Sequence, residues 1–395
     1  MGCVVLIVAL ALPDHARSDS HRVEPELRAN SSEPKGGIPT TSLLSVGMLL
    51  GGKSEATAYS RCTVTLTKPD TVVTARHCLA YPHGDTFWVY FPYGGVRGVP
   101  AAGISFFCED GDKGCSVTTD DLAIATLDAP YTFLPPSIAG TAGTAAAGRN
   151  ATIVGYGLKS PDLADYGIKR QGSIQLAACN QFPADGLSLC FEHTVTVPEE
   201  ESEGREERTV GMHAVCNNDS GGPMLAPATH RGRMIGVASQ LAGSCDGASE
   251  SRYVNVTDPR YQEWLKSAYC DPTCATNPDL VLTEMVRIPI EYLGEADTSD
   301  THPLTVPEGT GSLIVTLNHG RGWFPFPNDL DLELPSALNP NCVQFIEVEV
   351  CEVDAPAAGV YNATVTRVSG EAEYQLSAVA LAAAPEVDPD QAGDR

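Results

Sequence analysis

The sequence predicts an all-β protein, and three observations support this prediction. Short apolar runs rich in Val and Thr recur along the chain, such as CTVTLT from Cys62 and ATIVGYG from Ala151. Turn-forming residues separate these runs, and the chain contains 37 Gly and 29 Pro. Many short strands divided in this way are typical of β-barrels and β-sandwiches. A later region, from about residue 280 to 381, alternates apolar and polar residues and predicts a separate β-sandwich.

The chain of 395 residues is longer than one typical domain, and its composition changes suggest six segments. We expect a signal peptide over 1–16, a leader or propeptide over 17–37, a main β domain over 38–270, a turn-rich linker over 271–279, a β-sandwich over 280–383 and a disordered tail over 384–395. The main domain should end with an amphipathic helix, because Tyr261, Trp264 and Leu265 follow Asp258-Pro259 at helical spacing. The acidic run from Pro198 to Arg208 is interpreted as a solvated surface insertion.

The net charge and the cysteine content indicate which cellular compartment and which binding partners to expect. The net charge of −25 argues against nucleic acid or an anionic membrane surface as a partner. Thirteen cysteines indicate an oxidising compartment, and the apolar run from Val4 to Leu12 has the length of a signal peptide, too short to span a bilayer. A buried N-terminal strand is the alternative interpretation of that run. We expect an exported protein without a membrane span, secreted or extracellular, with the periplasm or the cell surface as alternatives.

Three separated segments carry residues that could perform acyl transfer. His77 ends the run VVTARHC, Asp121 begins the run DLAIATL, and Ser220 lies in CNNDSGGPM. A serine nucleophile needs a base to take its proton, and the imidazole needs a carboxylate that fixes its tautomer. Taken singly, each residue has an ordinary structural interpretation, but their order along the chain matches that of one known triad arrangement.

The sequence motifs around these residues resemble those of the trypsin/chymotrypsin-like serine peptidases. TA-x-HC, D-L-A and DSGGP carry the resemblance, and IVGYG, KRQGSIQL and GVASQ extend it over roughly Ser42 to Tyr269. The resemblance implies two six-stranded antiparallel β-barrels with a C-terminal helix, and a cleft between the barrels. It also implies His77, Asp121 and Ser220 as the catalytic residues, and it calls for no cofactor. No metal site is expected, since neither paired C-x-x-C nor HExxH spacing occurs.

The resemblance assigns further roles around the nucleophile. The backbone N–H groups of Asn218 and Ser220 would form the oxyanion hole, although the family usually has glycine at the position of Asn218. Asparagine tolerates unusual backbone angles, but its side chain would lie on the leaving-group side of the cleft. Asp219 would support the turn by pairing with an N-terminal ammonium released on activation. The substrate-binding positions would be Ala214, Ser239, Leu241 and Ser251, which predict a preference for small or medium apolar side chains before the cleaved bond.

Twelve cysteines remain once a signal peptide with Cys3 is removed, and they can form six disulfides. The resemblance implies Cys62–Cys78, Cys179–Cys190 and Cys216–Cys245. Three further pairs are proposed from proximity in the sequence alone, namely Cys108–Cys115, Cys270–Cys274 and Cys342–Cys351.

The C-terminal region resembles the bacterial pre-peptidase C-terminal domain. NDLDLEL and PAAGVY carry this resemblance, which implies a role in secretion, maturation or substrate attachment, often followed by removal. Asp329 and Asp331 in NDLDLEL could bind a cation, but solvent-facing carboxylates on a strand are the preferred interpretation.

These observations favour a secreted serine endopeptidase that acts on protein or peptide substrates as a monomer. We expect a zymogen that an activating protease cleaves, although neither Arg22-Val23 nor Ile38 provides the family's usual mature start. Two alternatives stay open. Asn218 and the missing activation start would suit a catalytically inactive, protease-like binding protein. Residues 280–381 would suit a surface-binding adhesin.

Overall fold

The computed structural model describes residues 37–80, 85–108, 120–158, 166–183, 185–192, 194–197, 208–211, 215–227, 232–245, 250–270, 280–294, 296–320 and 328–383. The predicted signal peptide, linker and tail, nearly all of the leader and most of the acidic run lie outside these residues, so those predictions stay as predictions. Within the described ranges, no helix combines the length and the apolar character that a bilayer crossing requires.

The first half of the fold is a curled antiparallel sheet of seven strands, which run in the order β6-β5-β2-β3-β4-β8-β7. Register shifts at Leu49/Leu50 and Leu66/Lys68 bend the longer strands, as β-bulges do, and so help the sheet to curl. The elements up to β8 are β1 Ile38–Pro39, β2 Val46–Gly52, β3 Tyr59–Lys68, β4 Thr71–Thr74, α1 Arg76–Ala80, β5 Thr86–Phe91, β6 Gly95–Val99, β7 Ile104–Phe106 and β8 Ala123–Thr126.

The second half is an eight-stranded sheet in the order β1-β11-β10-β15-β16-β17-β12, with β9 parallel to β16. Its elements are β9 Ile138–Ala139, β10 Asn150–Gly155, β11 Arg170–Gln175, β12 Ser188–Glu192, β15 Pro223–Ala226, β16 Arg233–Ala242 and β17 Glu250–Asn255; β13 Thr194–Val197 and β14 Arg208–Gly211 form a separate hairpin. The helix α2, Pro259–Leu265, follows, and Asp258 caps it by accepting a hydrogen bond from Arg260 N at 3.0 Å. Two curled sheets and a C-terminal helix confirm the predicted chymotrypsin-like class, with seven and eight strands where six were expected in each barrel.

The chain then forms two further antiparallel sheets. Their strands are β18 Val281–Leu293, β19 Ser299–Val306, β20 Thr310–His319, β21 Asp329–Glu333, β22 Asn341–Gln344, β23 Val348–Asp354, β24 Gly359–Ser369 and β25 Ala372–Ala382. The five-stranded sheet runs β18-β25-β20-β23-β22 and the three-stranded sheet β19-β24-β21. Leu304, Leu313, Leu330 and Val365 are fully buried in one apolar cluster that draws on both sheets. We call residues 280–383 the C-terminal domain.

The C-terminal domain shares a hydrophobic core with the first sheet. Ile314, Phe345 and Val348 belong to the same buried cluster as residues of the first barrel, and the Phe345 ring meets Trp88 edge-on at 5.8 Å. The described residues from Gly37 onward belong to one compact unit.

Four disulfides lie wholly within the described residues, namely Cys62–Cys78, Cys179–Cys190, Cys216–Cys245 and Cys342–Cys351. The first three are the pairs that the family resemblance implies, and the fourth is one of the pairs proposed from proximity. Cys108 and Cys270 are also disulfide-bonded. Their predicted partners, Cys115 and Cys274, lie outside the described residues.

Candidate active site

His77 and Asp121 form a close pair at one edge of the first sheet. The buried strand β4 ends at Thr74, and His77 lies in the short helix α1 that follows. Asp121 precedes β8, the strand paired with β4, so the two side chains are brought together. Asp121 Oδ2 lies 2.7 Å from His77 Nδ1, and Oδ1 accepts a bond from His77 N at 2.9 Å. Asp121 is 1% exposed, and its contact with Nδ1 is of the kind that favours the imidazole tautomer with the proton on that nitrogen.

A polar network from the second sheet supports Asp121. Ser239 Oγ donates to Asp121 Oδ2 at 2.7 Å. Arg252 lies behind Ser239, with Nη1 3.5 Å from Ser239 Oγ and 3.1 Å from Gln240 Oε1. Burial lowers the pKa of Arg252, whereas the nearby Tyr261 and Asp121 raise it. Sequence reasoning missed Arg252; the only signal was a charged residue within the apolar strand sequence SRYVN.

Ser220 lies in a tight turn that both barrels hold. Its carbonyl accepts a hydrogen bond from Thr63 N on β3 at 2.9 Å. The next residue, Gly221, has a φ of +81° and donates to Ala238 O on β16 at 2.8 Å. A Cβ at Gly221 would overlap Thr74 Oγ1, so only glycine fits both the backbone angle and the space.

The disulfide Cys62–Cys78 brings Ser220 and His77 to the same place. Cys78 Sγ lies 3.7 Å from Ser220 O and 3.8 Å from His77 Nε2. Among the described residues, no hydrogen bond joins the Ser220 hydroxyl to His77. Hydrogen bonds of catalytic groups are often long without substrate and tighten in the complex.

Asn218 occupies the left-handed backbone region, with a φ of 74°, which asparagine tolerates better than most residues. Its carbonyl accepts a bond from Thr63 Oγ1 at 3.0 Å, and its side-chain Nδ2 donates to Ser60 O at 3.0 Å. Within the part of the chain that the structure describes, the backbone N–H groups of Asn218 and Ser220 donate to no acceptor. Two such donors beside a serine hydroxyl can receive an oxyanion.

Asp219 is held by backbone donors on both oxygens. Oδ1 accepts a bond from Gly157 N at 2.8 Å and Oδ2 accepts one from Cys216 N at 2.9 Å. Gly37, the first described residue, lines the same small cavity as Asp219. The carboxylate therefore shapes the turn that carries Ser220. Arg22-Val23, which the sequence offers as a cleavable bond but not as the family's usual mature start, lies outside the described residues.

The predicted substrate-binding residues take different positions. Leu241 on β16 and Ser251 on β17 are cross-strand partners, and Leu241 is half-buried while Ser251 is fully buried. The hydroxyl of Ser239 turns to Asp121, as described above. Ala214 lies outside the described residues.

The described residues contain one group with the spacing of metal ligands, formed by Cys62, His77 and Cys78. The two sulfur atoms are joined in a disulfide, so they are not available as thiolate ligands. The paired carboxylates Asp329 and Asp331 on β21 do not belong to such a group.

The comparison with known families adds an independent finding. The family model described as Trypsin matches residues 44–265, which is more than half of the chain. The search of curated proteins gave no match. The matched region contains His77, Asp121, Ser220 and every strand of the two curled sheets except β1. The chain therefore belongs to the trypsin family of serine peptidases.

Proposed function

We propose that this chain is an active endopeptidase in which Ser220 is the nucleophile, His77 the general base and Asp121 the residue that orients the imidazole. The observation that carries this proposal is the contact between His77 and the buried Asp121, with 2.7 Å between Nδ1 and Oδ2. Asp121 Oδ2 also accepts a hydrogen bond from Ser239 Oγ at 2.7 Å, so both His77 and Ser239 hold the Asp121 side chain in place. This support leaves His77 Nε2 as the acceptor for the serine proton.

The reaction would proceed through an acyl-enzyme. Ser220 Oγ attacks the peptide carbonyl carbon while His77 Nε2 takes the hydroxyl proton. The tetrahedral intermediate collapses, the C–N bond breaks, and His77 gives the proton to the departing amine. Water then attacks the ester carbonyl in the same way, His77 again acts as base, and the acid product leaves with Ser220 regenerated.

The backbone N–H groups of Asn218 and Ser220 would stabilise the negative oxygen of each intermediate. A single donor of this kind contributes on the order of 10²–10³ in rate. The left-handed φ of 74° at Asn218 supports the assignment, because the turn keeps a backbone angle that glycine would adopt easily. Replacement of glycine by asparagine therefore does not argue against activity.

The substrate preference is proposed to be small or medium apolar side chains before the cleaved bond. Leu241, opposite Ser251, would narrow the pocket wall, and Ala214 would offer no carboxylate to a basic side chain. A peptide-library profile should show cleavage after residues such as Ala and Val. Cleavage mainly after Lys or Arg would contradict this preference.

The setting of the enzyme is also proposed. Four disulfides support an oxidising, extracellular location, reached with a signal peptide over 1–16, and an activating protease would remove a propeptide. The substrates would be proteins or peptides and the enzyme a monomer. We retain the resemblance of the C-terminal domain to the pre-peptidase C-terminal domain as a proposal, supported by its antiparallel sandwich.

A fluorophosphonate probe tests the nucleophile directly, because it reacts only with an activated serine. The parent protein should label, and Ser220→Ala should not. Ser267→Ala is a matched control, since this exposed hydroxyl bonds only the Trp264 carbonyl in its own helix turn. Absence of labelling in correctly processed, folded parent protein would contradict the proposal and favour an inactive binding protein. Retained binding to a cell surface would then favour the adhesin.

A further inference from the structure

The C-terminal domain reaches the start of strand β3 with one short segment. Ile346 N donates to Ala58 O at 3.2 Å, and Ser60 N donates to Glu347 Oε2 at 2.9 Å. Glu347 is 0% exposed and Ser60 1%, so this contact is closed to water. A hydrogen bond is stronger in surroundings that exclude water than at an exposed surface. The contact therefore fixes the Ser60 backbone from the side of the C-terminal domain.

The same Ser60 backbone also holds the nucleophile turn. Its carbonyl accepts the hydrogen bond from Asn218 Nδ2 at 3.0 Å. The Ser60 N–H thus donates to Glu347 of the C-terminal domain, and the Ser60 C=O accepts from the Asn218 side chain. Ser60, a residue of the first barrel, therefore connects Glu347 to Asn218.

The position of the Asn218 backbone matters because its N–H is one of the two donors in the proposed oxyanion hole. Thr63 Oγ1 holds the Asn218 carbonyl from β3, and the Asn218 side chain adds a second attachment to the same strand at Ser60. Glycine could adopt the φ of 74° but could not make the second attachment. This attachment gives a physical reason for asparagine at this position.

We propose that Glu347 is a positioning residue for the oxyanion hole, acting through Ser60 on Asn218, so that the C-terminal domain takes part in catalysis. The proposal rests on the proposed function of Ser220 and its oxyanion hole. It goes beyond that function by making a residue outside the peptidase region contribute to the rate. The domain is then a working part of the enzyme and not a module that the mature protein discards.

A double-mutant cycle in the full-length protein tests the connection. Glu347→Gln replaces the carboxylate by a weaker acceptor of the same shape, and Asn218→Gly removes the side-chain attachment. Each single variant should lower kcat about fivefold, which corresponds to one hydrogen bond, with KM unchanged, since the oxyanion forms only after binding. In the Asn218→Gly background, Glu347→Gln should cause no further loss, because the connection is already broken.

Glu352→Gln is the matched control. Glu352 also belongs to the C-terminal domain and contacts the first barrel, with Oε1 3.6 Å from Arg97 Nη1, but it is not connected to Ser60. This variant should leave kcat unchanged in both backgrounds. Rates are expressed per active site, as titrated with the fluorophosphonate probe, so that partial unfolding does not count as slower catalysis. If Glu347→Gln does not fold, Glu347→Asp, which withdraws the carboxylate by one methylene, should show the same non-additivity.

The outcomes separate this inference from the proposed function. Parent protein that neither labels nor hydrolyses peptides would overturn both. Active parent protein with equal losses from Glu347→Gln in the two backgrounds would overturn the connection alone. A loss that appears only in the fraction of titratable sites would also overturn it, since that result indicates a purely structural role.

Discussion

Lys169 offers a test of the fold through the pH dependence of stability. Its side chain is fully buried beside β11, and Nζ donates to Leu43 O at 3.3 Å and Val46 O at 3.4 Å. No carboxylate is among these partners. Burial, together with the smaller effect of the positive charge of Arg287, therefore lowers the pKa of Lys169 from 10.5 to about 7.

The sign follows from the protons that each state binds. Between pH 7 and 10.5 the folded chain has released the Lys169 proton, whereas the unfolded chain still binds it. The unfolded state binds more protons, so the free energy of unfolding rises with pH in this window. The slope from this one group is about 1.4 kcal/mol per pH unit. Below pH 7 both states are protonated and Lys169 contributes no further slope.

Lys169→Met should remove this slope. Urea unfolding followed by tryptophan fluorescence at about pH 7.5, 8.5 and 9.5 measures it, in the Ser220→Ala background to prevent self-cleavage. The parent should gain about 1.4 kcal/mol per unit relative to Lys169→Met. Lys266→Met, at an exposed site, is the matched control and should keep the parental slope. Equal slopes in the parent and Lys169→Met would refute the reasoning.

Three further changes have defined consequences. Ser239→Ala removes the hydroxyl that donates to Asp121 and should lower kcat about tenfold, as expected for a lost hydrogen bond to a charged group, measured by steady-state kinetics. Gly221→Ala places a methyl group against Thr74 in a left-handed turn and should abolish labelling by the fluorophosphonate probe. Phe345→Ala leaves a cavity in the shared core and should lower the free energy of unfolding by about 3 kcal/mol in urea titrations, whereas unchanged stability would contradict the shared core.

The sequence was sufficient to predict the fold class and to identify the residues of the candidate site. Strand-length apolar runs and turn residues predict all-β structure. The sequence motifs around His77, Asp121 and Ser220 indicate the same family as the matching family model. Short motifs of this kind are informative because the backbone geometry requires particular residues. The glycine after Ser220, for example, must adopt a φ of +81° where no side chain fits.

The long-range contacts could not be predicted in the same way. The contact between Ser60 and Glu347 joins residues that are 287 positions apart in the sequence, and neither residue lies in a recognisable motif. Arg252 gives only a charge within a strand, and its approach to Ser239 depends on the register of β16 and β17. The sequence predicts a linker before the C-terminal domain, but composition alone carries no information about contacts such as that between Phe345 and Trp88.

The last strand of the fold also has a consequence for the timing of synthesis. Gln375 on β25 lies within 3.4 Å of Thr40 O, across 335 residues, and it also bonds the backbone of Lys169. Synthesis proceeds from the N-terminus, so the beginning of the folded region must wait for nearly the whole chain to emerge. Pairing over such separations is slow. The order of translation therefore delays completion of the peptidase fold until its C-terminal end has left the ribosome.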